Sequence, residues 1–277
     1  MKLGAMLSRH ACIAMLIGAP VMADTPVEEP LSEEEQAAKQ SENPISNTVH
    51  LTVEDSASYL IGAQDRTLNV ATFTPILPIA VDPDWTVIAS ARIPLVWAPD
   101  VLARTGGSFG LGDITPTVLL GPRPHSNIFW GVGLVARAPT ATNRNLGAFD
   151  AGQVSFGPAA TVAFTPGHFV VGLNVNNLWS VVGRHDAPDV NSFTLQPLLN
   201  YNLPQAWYLT SSPFILCDWT ASSDKCLVPI GAGIGKLALL SPRAAITFEV
   251  HAYWNAVRPD LAAAWNLRFQ VVVSFPR

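Results

Sequence analysis

From Val49 onward the chain consists of short segments in which apolar and polar residues alternate. The clearest spans residues 193–203. Phe193, Leu195, Pro197, Leu199, Tyr201 and Leu203 fall on one face, and Thr194, Gln196, Asn200 and Asn202 on the other. Successive side chains of a strand point to opposite faces, so each such segment has an oily side and a wet side. The pattern predicts twelve strands, at 49–61, 68–80, 85–97, 112–121, 128–138, 153–165, 169–182, 190–203, 206–219, 226–238, 244–256 and 265–276. Most reach the roughly 9–11 residues that a tilted strand needs to cross a bilayer's hydrocarbon.

The links between strands alternate in length. Those at 81–84, 165–168, 203–206 and 240–243 are tight and carry Pro or Gly, whereas 98–111, 139–152, 183–189 and 257–264 are longer and more polar. A transmembrane, up-and-down antiparallel β-barrel shows this alternation, with short turns on the periplasmic side and longer loops outside. Segment 49–61 is interrupted by Glu54 and Asp55, yet the topology requires it. If 81–84 is periplasmic, a strand before residue 68 must run outward, and counting it gives an even number with both termini in the periplasm.

Assigning the oily faces to lipid sends the remaining residues to the lumen. Arg92, Arg137, Asn174, Asn176, Glu249, His251, Arg268 and Gln270 point inward on this reading. A charge on the lipid face near the midplane costs about 2–4 kcal/mol, which favours the assignment. Tryptophans gather near strand ends, as at Trp85, Trp97, Trp130, Trp179, Trp254 and Trp265, where an amphipathic ring meets the headgroups.

Composition agrees. Hydrophobic residues make up 49% of the 277, but no unbroken apolar run approaches the roughly 18–20 residues of a membrane helix. Charged residues are only 13%, below the roughly 25% of soluble domains. At the N-terminus Lys2 and Arg9 precede the apolar stretch 11–19, and Val21-Met22-Ala23 forms a small-x-small site before Asp24. This pattern predicts a signal peptide over 1–23, with cleavage expected between Ala23 and Asp24. Losing Lys2 and Arg9 moves the formal charge from −5 to −7. With no basic cluster to neutralise phosphates, nucleic acid is excluded as a partner. Residues 24–48 form an acidic segment with a short helix expected to end at Asn43-Pro44. It is either a solvated periplasmic lead-in or a mobile plug or partner-docking helix, and the barrel occupies 49–277.

Several runs resemble a known group. They include Phe109-Gly110-Leu111-Gly112-Asp113-Ile114-Thr115-Pro116-Thr117, Val175-Asn176-Asn177-Leu178-Trp179-Ser180, Trp207-Tyr208-Leu209-Thr210-Ser211-Ser212-Pro213 and Val257-Arg258-Pro259-Asp260. Taken in order they resemble the Gram-negative outer-membrane proteins named neuromedin U or simply transporter. That group is similar to the proteins named for the meta-cleavage pathway of phenol degradation. The hormone name has no physical meaning for a barrel. The resemblance implies an outer-membrane barrel moving small or hydrophobic compounds, with no catalytic residues. Residues 49–59 are more acidic than the group's pattern.

Cys217 and Cys226 flank a surface link in an oxidising compartment, and a disulfide there would close a small outer hairpin. The inward arginines, with Glu249 and His251, either form a selectivity constriction or pair across the lumen and fill it. Gly131, Gly133, Gly231, Gly233 and Gly235 fall on lumenal positions, where they widen a pore or permit sheet curvature. No nucleophile motif accompanies His251, so no enzymatic activity is expected. The dispersed histidines lack metal-ligand spacing, and no cofactor is implied. The expected partners are outer-membrane lipid, the barrel-assembly machinery and small solutes. The expected role is passive passage of small molecules, polar ones through the lumen or hydrophobic and aromatic ones through a lateral exit. The alternative is a structural or partner-binding barrel with a closed lumen.

Overall fold

A computed structural model describes residues 48–100, 105–123, 127–143, 146–147, 152–183, 188–241 and 244–276. The expected signal peptide, the boundary between Ala23 and Asp24, and the acidic segment up to residue 47 lie outside these residues. The strands in chain order are β1 (Thr48–Ile61), β2 (Arg66–Ala80), β3 (Trp85–Pro99), β4 (Gly107–Leu111), β5 (Thr115–Pro122), β6 (Ile128–Arg137) and β7 (Gln153–Phe164). They continue as β8 (Phe169–Gly183), β9 (Asn191–Asn202), β10 (Trp207–Ser211), β11 (Ile215–Asp218), β12 (Cys226–Ser241), β13 (Ala244–Val257) and β14 (Trp265–Pro276).

Each strand pairs antiparallel with its neighbours, β1 pairs with β14, and the pairing of β12 with β13 completes the ring. Strand β3 pairs with both β4 and β5, while β9 and β12 each pair with both β10 and β11. The fourteen strands are therefore twelve staves, two of them interrupted once. A closed ring satisfies every backbone ladder without an edge, which is what lets strands cross hydrocarbon. Among the described residues no helix is long and apolar enough to cross a membrane.

The two interruptions depart from the expected continuous strands at 112–121 and 206–219. At Gly112-Asp113-Ile114 the ladder thins to backbone bonds from Gly112 N–H to Pro94 and from Ala138 N–H to Ile114, and side-chain bonds from the β6–β7 link fill the gap. Thr140 Oγ1 donates to the Gly112 carbonyl (3.0 Å) and accepts from the Ile114 N–H (2.9 Å), and Asp113 Oδ1 accepts from Ala141 N–H (3.1 Å). At Ser212-Pro213-Phe214 the proline has no N–H to give the ladder. The Ser212 carbonyl turns inward to a guanidinium instead.

The links follow the expected alternation with one adjustment. The end carrying Thr48 and Pro276 also carries the strand ends Ala80 and Trp85, Pro122 and Ile128, Phe164 and Phe169, Asn202 and Trp207, and Ser241 and Ala244. At the opposite end lie the strand ends Ile61 and Arg66, Pro99 and Gly107, Arg137 and Gln153, Gly183 and Asn191, Asp218 and Cys226, and Val257 and Trp265, so the first link at the long-loop end is itself short. Outward positions expose Phe73, Leu95, Val118, Leu134, Val162, Phe248 and Phe269. Trp85 meets Trp130 edge-on (centroids 6.1 Å apart) near the short-turn end, and Trp97 meets Phe109 (4.6 Å) near the long-loop end. These pairs form parts of two aromatic girdles.

Two charged residues, Lys236 and Asp55, stand on the outward face: Lys236 lies level with Trp207, its ammonium 4.8 Å above that ring, whereas Asp55 sits in mid-strand. Glu54, Val70 and Thr72 line the lumen, so alternation turns Asp55 and Asn69 outward. There Asn69 Nδ2 donates to Asp55 Oδ2 (3.2 Å), and Asp55 sits four residues along β1 from the Tyr59–Trp265 pair.

Candidate functional site

Inside the ring, a cavity of about 580 Å³ is lined by Glu54 from β1, Arg92 from β3, Arg137 from β6, Asn174 and Asn176 from β8, and Arg268 from β14. A second cavity of about 780 Å³ adjoins it toward the long-loop end. Val70, Thr115 and Arg137 line both. Leu146, from the β6–β7 link, is buried and lines the second cavity with Val96. That link comes so close to the wall that a Cβ at Gly110 would strike the Thr142 side chain, which is why glycine stands there.

Arg268 is the most heavily engaged lumenal residue. Its Nη1 donates to the Ser212 carbonyl (3.1 Å), and its Nη2 to Ser212 Oγ (2.5 Å) and Tyr253 Oη (3.0 Å). The same Nη2 lies 3.3 Å from His251 Nδ1, and Nε lies 3.8 Å from Glu54 Oε2. The side chain is 4% exposed. Removing one partner from such a buried set leaves the others desolvated and unsatisfied, at a cost of about 3–5 kcal/mol.

Behind Arg268 a second layer runs along β13 and β14. His251 Nε2 meets Glu249 Oε2 at 2.8 Å, and Tyr253 Oη meets His251 Nδ1 at 3.1 Å. Tyr208 Oη donates to Glu249 Oε1 (2.6 Å), and Gln270 Nε2 donates to Glu249 Oε2 (3.2 Å). These bonds are mutually consistent with the ring proton on Nε2, so that Nδ1 accepts from the Tyr253 hydroxyl. Tyr208 is fully buried against Gly235, where a Cβ would overlap its ring, and a Cβ at Gly233 would come 2.7 Å from His251 Nδ1. Those two glycines make room for side chains and do not widen a pore.

The inward residues expected from the sequence thus separate into two groups. Arg92, Arg137, Asn174, Asn176 and Arg268 line the deeper cavity, whereas Glu249, His251 and Gln270 belong to the layer behind it and line neither cavity. Asn174 forms a polar rung, accepting from Thr161 Oγ1 (2.5 Å) and donating to Gln196 Oε1 (3.2 Å). Arg137 attracts Asp113 electrostatically at the junction of the two cavities.

Arg92 differs from Arg268. Its side chain is 43% exposed, its ion pair with Glu54 is long at 3.5 Å, and its guanidinium rests 4.8 Å above the Phe214 ring. Sequence reasoning had not singled out Glu54, Ser212 or Phe214, although Pro213 in mid-strand was a signal for the interruption that turns the last two inward. Cys217 and Cys226 are directly opposed in register and joined by a disulfide.

No family model matches the chain, and no curated protein matches its sequence. Solved structures do match its fold. A crystal structure of an outer-membrane channel from Pseudomonas putida F1 aligns over 82% of this chain and 95% of that one, with TM-score 0.62 and 17% identity. The NanC porin aligns over 82% and 98%, with TM-score 0.51 and 8% identity. The fold is that of an outer-membrane β-barrel. At such identities the likeness concerns fold alone. The narrower resemblance to the neuromedin U-named group gains no support from these matches.

The expectation of no enzymatic activity requires correction. Outer membrane phospholipase A of Escherichia coli aligns over 82% of this chain and 92% of its own, with TM-score 0.42 and 12% identity. That barrel is named for an enzyme, and a fold does not by itself decide whether a chain catalyses.

Proposed function

We propose that the chain forms an outer-membrane channel for the passive passage of small molecules. The observation that carries this reading is the pair of adjoining cavities, which extend inward from the long-loop end to the arginines and share the lining residues Val70, Thr115 and Arg137. A barrel that only scaffolds a partner has no need of a polar-runged cavity behind a loop-lined mouth. Thr48 and Pro276 lie together at the short-turn end, which supports periplasmic termini and loops facing outward. Insertion would then depend on the barrel-assembly machinery. The resemblance drawn from the sequence favours small hydrophobic or aromatic solutes, and the apolar wall of the deeper cavity is compatible with them.

One observation favours the alternative of a closed barrel. Toward the short-turn end His50, Asn200, Tyr208, Leu237, Ala245 and Ser274 are all buried. Liposome swelling separates the two readings. Vesicles carrying the refolded mature protein, residues 24–277, should swell in isosmotic arabinose faster than empty vesicles. Swelling at the empty-vesicle rate, with the barrel folded, would contradict passage of small polar solutes.

A further inference from the structure

We propose that the deeper cavity is a binding site for an organic anion with an apolar body, with the Arg92 guanidinium as the seat of its charged group. The role of such a site in transport rests on the channel reading above, but its existence does not.

The charge argument comes first. Three guanidiniums, of Arg92, Arg137 and Arg268, line this cavity against one carboxylate, Glu54. That carboxylate is shared, with one oxygen 3.5 Å from Arg92 and the other 3.8 Å from Arg268. Arg137 has Asp113 as its own electrostatic partner, so the positive surplus rests on Arg92 and Arg268 against the shared Glu54, in a region where low-dielectric walls strengthen it. Arg268 is satisfied by protein partners on every nitrogen-bearing edge but one, and that edge faces Glu54. Arg92 is the cation presented to the cavity. Its long ion pair and 43% exposure leave N–H donors available, and the Phe214 ring beneath it holds the fork in place. A planar guanidinium is suited to a carboxylate by two parallel hydrogen bonds.

The second argument is the wall. Leu119 and Leu178 line the cavity and belong to an apolar cluster with Val135 and Ala159, and Ile88, Val175 and Phe214 continue the lining. A conduit for hydrated inorganic ions gains nothing from that surface, whereas an apolar body buried there gains roughly 25 cal/mol per Å². The volume of about 580 Å³ falls within the range of small-molecule sites. Positive charge on one side and aliphatic surface on the other select an amphiphilic anion over either a sugar or a simple salt.

Benzoate, its uncharged near-isostere benzamide, and acetate serve as probes. Isothermal titration calorimetry on the mature protein in non-ionic detergent, against matching blank micelles, should show benzoate binding at least about tenfold more tightly than the other two. Arg92→Gln should bring benzoate to within about threefold of benzamide, and Arg92→Lys should keep the preference for the anion. Heat-dependent migration on gels establishes that each variant is folded. Benzamide binding as well as benzoate, acetate binding as well as benzoate, or a folded Arg92→Gln barrel with unchanged benzoate affinity would each overturn the proposal. If Arg92→Gln does not fold, the wild-type comparison of the three probes decides. Benzoate binding by a barrel that passes no potassium chloride current would keep the site and overturn the reading of an open aqueous lumen instead.

Discussion

Asp55 is the residue whose position is hardest to reconcile with a lipid-facing wall. It lies outward in mid-strand with Asn69 as its hydrogen-bond partner, in a band whose other outward residues are Val53, Phe73 and Phe269. Carboxylates on this face cost less than the roughly 2–4 kcal/mol of Arg or Lys at the midplane, but they still cost. Asp55→Leu should therefore stabilise the barrel in vesicles by about 1–2 kcal/mol in urea titrations. A loss of stability would show that the Asp55–Asn69 bond does more for the wall than its desolvation takes away. Arg268 makes the opposite case. Arg268→Ala removes the donor to Ser212 and Tyr253 and the neighbour of Glu54, and should destabilise by about 3–5 kcal/mol in the same titration. A change below about 1 kcal/mol would mean that water replaces the guanidinium with little penalty.

At the scale of elements, close approaches between neighbouring staves govern the lumen. Gly235→Val would drive a side chain into the Tyr208 ring and detach its hydroxyl from Glu249. Such overpacking should cost about 1–3 kcal/mol, read as a lower urea midpoint, and an unchanged midpoint would mean that Tyr208 swings aside without strain. The Cys217–Cys226 bond ties β11 to β12 at the long-loop end. Replacing both cysteines by serine should lower stability by about 2–3 kcal/mol through the unfolded chain's regained freedom, and equal midpoints for the two proteins would deny it any stabilising role.

The strands themselves were legible because a period of two survives in almost every segment, and the lumenal face followed from it. The interruptions were not legible as such. Ser212 is turned inward by Arg268, 56 residues further on, and Gly112 is held by Thr140, 28 residues further on. Local alternation holds no record of bonds made at that separation. Glu54 was likewise read as a flaw in its strand, because its partners Arg92 and Arg268 become neighbours only when β1 pairs with β2 and β14. The same limit merged Glu249 and His251 with the cavity arginines, although the register of β13 ties them to Tyr208 and Gln270.

For the whole molecule the account combines a closed lipid-facing wall, a loop-lined mouth and a cavity with surplus positive charge. Twelve staves lie between eight-stranded barrels, which side chains fill, and the much wider porins, which hold open water. The buried short-turn half and the adjoining outer cavities show both tendencies in one lumen. Single-channel recording from refolded residues 24–277 in a planar bilayer tests the central claim most directly. The account predicts discrete current steps in potassium chloride with a preference for the anion, reduced in Arg92→Gln. A correctly folded barrel that passes no current would contradict it.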